Sequence, residues 1–105
     1  MNGAELRAFV QERLKEIEQL FEQTFKEYGQ DARPFANFEL TGADLEMEPE
    51  VVCFILMRKH VQGIAAYLRG VRRQRDTIHG RINDLIVYAL LLDAIITSRK
   101  DAHEN

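Results

Sequence analysis

The chain has 105 residues, is 46% hydrophobic and 30% charged, and carries a formal net charge of −3 at pH 7. This length is enough for one small core, so we expect a single domain over residues 1–105. One cysteine excludes an internal disulfide framework and indicates a reducing compartment. The N-terminus lacks signal-peptide features, and no apolar run reaches the ~20 residues of a membrane span, so we expect a cytoplasmic protein outside the membrane.

The charges are unevenly distributed along the chain. Residues 1–50 hold twelve acidic and five basic side chains, whereas residues 58–81 hold seven basic side chains and one acidic one. The basic region could bind an anion, or it could be a solvated turn that pairs with the acidic first helix of the same or a neighbouring subunit. Overall acidity and the scarcity of aromatic residues near the basic turn Arg69–Arg75 make nucleic-acid binding the weakest use of this charge.

Residues 4–28 are predicted to form an amphipathic first helix that ends at Gly29. Apolar or small side chains recur along it with the alternating spacing of a coiled-coil seam (Val10, Leu14, Ile17, Phe21, Thr24 and Tyr28). Residues 30–47 are then predicted to be a long loop, because Pro34 disfavours helix at the preceding residue.

A second helix is predicted from Pro49, which suits a first turn, to a stop near Gly70. Its first half, VVCFILM, is apolar on every side. Cys53 lies in this run, and we expect it to be a small buried hydrophobe rather than a reactive thiol.

A third helix is predicted from a cap at Asp76 or Thr77 to about Ser98, followed by a frayed tail over about residues 100–105. Its main core stripe is expected to contain six residues at helical spacing (Ile78, Ile82, Leu85, Ala89, Leu92 and Ile96).

These elements predict an all-α fold: a bundle of three main helices with a long loop after the first. The stretches 51–57 and 85–92 are apolar all round and need more cover than one amphipathic helix provides. We therefore expect a homo-oligomer, a dimer or larger, to complete the bundle.

Polar side chains interrupt the apolar sequence of the second and third helices at a few positions. Arg81, Asp84 and Tyr88 share one face of the third helix. The second helix offers four further polar groups (Glu50, Arg58, Lys59 and His60). If the two helices pack antiparallel, a pocket with carboxylates, cations and a tyrosine could form. Such a pocket suits a nucleotide, whose phosphates meet cations and metal-held carboxylates while an aromatic ring stacks on the base.

Asp84 is central to this hypothesis. With Glu50 it could supply the one or two carboxylates by which proteins usually hold Mg²⁺, and the same two residues are the catalytic candidates. The alternative is that Asp84 forms a buried structural ion pair with Arg58, Lys59 or Arg81. Asp93, nine positions further on, is expected at solvent or at the edge of an oligomer.

Four segments, in chain order, resemble a known family: FKEYG at 25–29, NF at 37–38, LMRKHVQGI at 56–64 and DTIHGRINDLIVYALL at 76–91. They resemble the phage-associated nucleotide-modification-associated domain, which is similar to the MazG-like all-α nucleoside triphosphate pyrophosphatases. The resemblance covers about residues 20–95. It implies an oligomeric all-α bundle that binds a nucleotide with magnesium, with Lys59, Asp84 and Tyr88 at family positions.

The chain departs from the MazG-like pattern at two places. The Glu-Glu-x-x-Glu cluster of those enzymes is replaced by EPEVVCFILM, with carboxylates only at Glu48 and Glu50. Arg81 stands where they carry a glutamate, three residues before the aspartate. An arginine there exchanges a metal ligand for a phosphate ligand.

Three functions remain open from the sequence. A pyrophosphohydrolase would convert a nucleoside triphosphate to the monophosphate, with Asp84 and Glu50 on Mg²⁺ and Lys59 and Arg81 on phosphate. A non-catalytic phage-type binder would sequester a nucleotide or a cyclic-nucleotide signal in a cation-lined pocket. A structural or protein-interaction bundle would need neither a bound nucleotide nor hydrolysis. The sequence predicts nucleotide binding and leaves hydrolysis open.

Overall fold

The computed structural model describes residues 1–28 and 33–104, and the side chains of residues 1–26 and 33–99. The described chain is all-α, without strands, and has four helices: α1 (Gly3–Tyr28), α2 (Ala36–Leu45), α3 (Pro49–Leu68) and α4 (Ile78–Glu104). The all-α class and the three main helices are confirmed. The predicted stop at Gly29 lies outside the described residues.

The chain divides into two compact units, Met1–Pro34 and Phe35–Asn105. The first unit contains α1, whose N-terminus is capped by Asn2: the side-chain Oδ1 accepts a hydrogen bond from the backbone N–H of Glu5 at 2.9 Å. Four large apolar side chains in the first half of α1 are exposed (Leu6, Phe9, Val10 and Leu14). Whether the chain behaves as a single domain, and whether its tail frays, remain predictions.

The second unit contains a helix where a loop was expected. α2 occupies part of the predicted loop 30–47, so that part of the prediction is wrong. Phe38 is buried on α2, and Gly42 lies so close to the backbone of Met47 that a Cβ there would clash. Burial of Phe38 and this close approach outweigh the weak helix propensity of the segment.

Local signals set both ends of α3 and the start of α4 as predicted, whereas α4 continues to Glu104, past the predicted end near Ser98. Pro49 lies in the first turn of α3, and Gly70 follows its end with a φ of 108°. Thr77 caps α4, since its Oγ1 accepts a hydrogen bond from the backbone N–H of Gly80 at 2.9 Å.

α3 and α4 form an antiparallel pair. Three contacts define their register along the pair: Glu50 with Arg99, His60 with Tyr88, and Gly63 with Arg81. From one contact to the next, the residue number on α3 rises while the residue number on α4 falls, as antiparallel packing requires. The antiparallel arrangement assumed for the candidate site is therefore present.

The core lies between α2, α3 and α4, and consists of Phe38, Val52, Cys53 and Ile95. Cys53 is completely buried, as expected. The predicted core stripe of the third helix is wrong in part, because Ile82 and Ile96 are exposed while Val87 and Ile95 are buried. α4 is apolar on all sides, so sequence periodicity could not select the face that packs.

Among the described residues, α3 alone is long and apolar enough to cross a membrane, by length and composition. This is weak evidence for a membrane span. Arg58 and Lys59 lie near the middle of α3, and charged side chains are costly at the centre of a bilayer.

Candidate functional site

His60 and Tyr88 stack on each other in the middle of the α3–α4 pair. Their ring centroids are 5.6 Å apart and their planes differ by 28°. Phe38 from α2 meets Tyr88 edge-on, with ring centroids 6.3 Å apart. Two of the predicted ligand-binding residues are thus brought together, and α2 adds the aromatic ring of Phe38.

His60 is unusual because a polar atom of its ring is buried without a partner. The side chain is only 8% exposed, and Nδ1 makes no hydrogen bond within the described chain. Burying a polar atom without a hydrogen bond costs about 1–3 kcal/mol. A ligand that reached this nitrogen would therefore recover energy that the chain alone leaves unsatisfied.

Tyr88 and Cys53 stay protonated at neutral pH. Burial raises the pKa of Tyr88, and the negative charge of Asp84, one turn earlier on α4, raises this pKa further. Burial also raises the pKa of the Cys53 thiol from 9.0 to about 11, and its Sγ donates to the backbone oxygen of Tyr88 at 3.5 Å. Tyr88 therefore keeps a hydroxyl able to donate a hydrogen bond, and Cys53 remains an unreactive thiol.

Positive charge flanks one side of this stack. Lys59 is exposed and lies about 100° around the helix from His60, whereas Arg58 lies about 200° around and points away from Tyr88. Phe38, which touches Tyr88, is in the first turn of α2, so the positive end of that helix dipole is close by. Lys59 and the start of α2 are the groups here that favour an anion.

Arg81 stabilises the connection between α3 and α4. Its Nε donates to Oε1 of Gln74 at 2.7 Å, while Nε2 of Gln74 donates to the backbone oxygens of Gly63 and Val71, each at 3.0 Å. The Arg81 side chain covers Gly63, where a Cβ would collide with it. A terminal nitrogen of Arg81 lies 4.0 Å from a carboxylate oxygen of Asp76. The sequence held no signal for Gln74, because an uncharged residue in a turn has no periodicity to reveal it.

Glu50 lies at the other end of the helix pair. Its Oε1 accepts a hydrogen bond from Arg99 at 2.6 Å, and Glu48 also pairs with Arg99. The hydrogen bond to Glu48 is the main cause of a raised pKa for Arg99. Asp84 precedes Arg99 by fifteen residues of α4, about 22 Å along the helix.

The two predicted carboxylate ligands therefore do not fit a shared magnesium site within one chain. Asp84 and Glu50 are separated by several helical turns, far beyond the span of one ion's coordination shell. No group of three or more His, Cys, Asp or Glu side chains in the described residues is arranged to hold a metal ion.

Comparison with protein-family models, with curated proteins and with solved structures found no match to this chain. The resemblance to the MazG-like group therefore depends on the short sequence motifs alone.

Proposed function

We propose that the chain binds a nucleotide, or a closely related phosphorylated small molecule, beside the His60–Tyr88 stack. The observation that carries this proposal is the buried, unpartnered Nδ1 of His60 against the ring of Tyr88. Both residues were predicted from the sequence to contact the ligand. An aromatic surface beside a buried hydrogen-bonding atom suits the combination of a base and a polar group.

Each neighbouring group has a role in this proposal. Nδ1 of His60 hydrogen-bonds the ligand, and the Tyr88 ring and hydroxyl supply stacking area and a donor. Lys59 and the N-terminal end of α2 attract the phosphates. Arg81 acts indirectly, by holding the end of α3 against α4. Arg58 faces away from this side and is left out of the ligand contacts.

We propose that the ligand is bound without being hydrolysed. A hydrolase of MazG-like type needs several carboxylates around its metal, and here Glu50 is paired with Arg99 far from Asp84. Of the two predicted magnesium ligands, Asp84 alone is close to the stack, and water and phosphate would complete the shell of an ion held there. A binder that sequesters a nucleotide or a cyclic-nucleotide signal in the cytoplasm fits this set of residues better than an enzyme.

Calorimetric titration with nucleoside triphosphates, deoxynucleoside triphosphates and cyclic nucleotides tests the proposal, with and without Mg²⁺. We expect saturable binding of at least one ligand and its intact recovery after the complex is denatured. Release of pyrophosphate or phosphate would instead support the hydrolase. Failure of every ligand to bind at millimolar concentration would contradict both.

A structural or protein-interaction bundle is the second candidate function. One observation favours it: Arg81 and Glu50, both predicted site residues, are used in contacts that hold α3 and α4 together. In this case the basic turn would dock a partner, with Arg73 exposed and the Arg72 guanidinium 4.1 Å from the Tyr67 ring centroid. Charge reversal at both arginines would then abolish partner capture and leave nucleotide binding unchanged.

A further inference from the structure

Large apolar side chains cover one side of the α3–α4 pair without being buried. Seven of them are 37–74% exposed (Val51, Phe54, Val61 and Leu68 on α3; Ile82, Ile86 and Ile96 on α4). Monomeric soluble proteins rarely expose apolar patches of such extent. Part of this surface is the stripe of α4 that the sequence predicted to be core.

Both helices carry the spacing of a coiled-coil seam on this side. On α3 the seam positions are 51, 54, 58, 61, 65 and 68, and on α4 they are 79, 82, 86, 89, 93 and 96. The steps alternate three and four, which is the repeat that packs one helix along another. We call these twelve positions the open face.

The two seams lie on the same side of the pair. The α3 seam is centred about 130° around the helix from His60, and the α4 seam is centred about 130° from Tyr88 in the same rotational sense. Because the helices are antiparallel, equal rotations bring both seams to one side. Val52 and Val87 lie in the opposite sense and are buried, and α2 packs against Val52 through Phe38. The open face is therefore opposite α2.

Each seam contains one fully charged residue, and the two charges are opposite. Arg58 is on the α3 seam and Asp93 is on the α4 seam. A charged residue within an otherwise apolar seam selects the partner and the register of helix pairing.

We propose that the open face binds a second copy of this chain, forming a four-helix bundle of two α3–α4 pairs about a two-fold axis parallel to the helices. This axis places α3 against α4 of the second copy. The two helices then have the same register along their axes as α3 and α4 within one chain. It is an isologous interface, in which each copy contributes the same residues.

The seams match in this register. Val51 lies in a layer with Ile96 of the second copy, Val61 with Ile86, and Ala65 with Ile82. Arg58 faces the small Ala89, and its side chain reaches Asp93 in the adjacent layer. Six layers are thereby formed, and two symmetric Arg58–Asp93 pairs link the copies.

Other occupants fit the charges less well. Packing α3 against α3 of a second copy places the two Arg58 side chains in neighbouring layers and leaves Asp93 without them. A membrane would meet Arg58 and Asp93 on the face that must enter the lipid, which is costly. The proposed dimer does not depend on nucleotide binding, since His60 and Tyr88 face away from it.

Charge exchange tests this arrangement by sedimentation equilibrium. We expect a wild-type dimer, and at least about 30-fold weaker dimerisation for Arg58→Asp and for Asp93→Arg, because each places like charges together. An equimolar mixture of the two variants should form a heterodimer in which both charge pairs between the copies are restored. The double variant should form a homodimer in which both charge pairs are restored as well. Arg73→Asp and Asp44→Arg, which lie outside the open face, are matched controls and should dimerise like the wild type.

Three outcomes would overturn the proposal. The first is a wild-type monomer at 100 µM, the order of concentration at which weak dimers still form. The second is a dimer that neither single variant weakens, or that the mixture fails to restore. The third is a monomer that co-sediments with vesicles of anionic phospholipid through α3. A disulfide formed between copies by Val61→Cys with Ile86→Cys, in a Cys53→Ala background, would support the stated register directly.

Discussion

The buried Nδ1 of His60 lowers the stability of the folded protein because it makes no hydrogen bond with any described residue. Replacing the imidazole ring tests whether this nitrogen binds a ligand. Phenylalanine keeps the stack on Tyr88 and removes the unsatisfied nitrogen, so His60→Phe should leave the ligand-free protein equally stable or up to about 2 kcal/mol more stable. The same change should weaken nucleotide binding at least tenfold. Urea unfolding and calorimetric titration measure the two effects.

An exposed histidine supplies the control. His79→Phe makes the same replacement on the open face, on the side of α4 away from Tyr88, and should leave nucleotide affinity unchanged. If His60→Phe lost stability and kept its affinity, the ring would be an ordinary core group and the binding proposal would fail.

Alkaline pH should destabilise the protein through Cys53 and Tyr88. The pKa of Cys53 is raised from 9.0 to about 11 and that of Tyr88 is raised as well, so the folded state favours their protonated forms. Their stabilising contribution is complete below pH 9 and is lost as pH rises through the folded-state values. For Cys53 the loss is about 2–3 kcal/mol.

Urea unfolding of the wild type and of Cys53→Ala between pH 8 and pH 11 measures this contribution. The variant should be less stable at pH 8, because a buried side chain is shortened, yet should lose less stability on going to pH 11. Parallel losses in the two proteins would contradict the assignment.

At the residue scale, the sequence predicted which polar side chains make contacts between helices more accurately than it predicted the partners of those contacts. His60, Asp84 and Tyr88 stand out because they interrupt apolar helices, and they lie close together in the structure. Arg81 and Glu50 stand out for the same reason, yet their contacts are with Gln74 and Arg99. Spacing within a helix cannot reveal a partner from a turn or from the far end of another helix.

Among the helices, the contact between Gly63 of α3 and Arg81 of α4 offers a double-mutant cycle. Gly63→Ala alone should destabilise the protein by about 1–2 kcal/mol, since the new methyl group displaces the Arg81 side chain from Gln74. In an Arg81→Ala background the same change should stabilise by up to about 1 kcal/mol, because alanine is the better helix former.

The reversal of sign identifies the Arg81–Gly63 contact as the cause. The free energies of unfolding of the four proteins, measured in urea, give the coupling between the two positions. Equal effects of Gly63→Ala in both backgrounds would show that Arg81 does not pack on this glycine.

Helix ends were predictable where a local signal defines them, as at Pro49, Gly70 and Thr77. α2 was missed because its helical state depends on burying Phe38 against α3 and α4 rather than on its own propensity. The buried face of α4 was misassigned for a related reason. When a helix is apolar on every side, tertiary packing chooses the face, and periodicity carries no information about that choice.

For the whole molecule, thermal unfolding separates assembly from ligand binding. If the open face joins two copies, the midpoint of unfolding should rise with protein concentration in the wild type and stay constant in Arg58→Asp. A nucleotide at about 100 times its dissociation constant should add about 2.7 kcal/mol of stability in both proteins. A nucleotide effect lost in Arg58→Asp would mean that the binding site depends on the interface.

The central claim, that a nucleotide reaches the buried side of His60, is tested most directly by NMR of protein labelled with ¹⁵N in its histidine rings. Titration with the panel of nucleotides, with and without Mg²⁺, should produce a saturable shift of the His60 Nδ1 resonance and of the Tyr88 ring signals. The His79 ring should not respond. If the His60 and Tyr88 resonances stay unchanged at millimolar concentrations of every nucleotide, the ring is part of a closed core and the proposed function is contradicted.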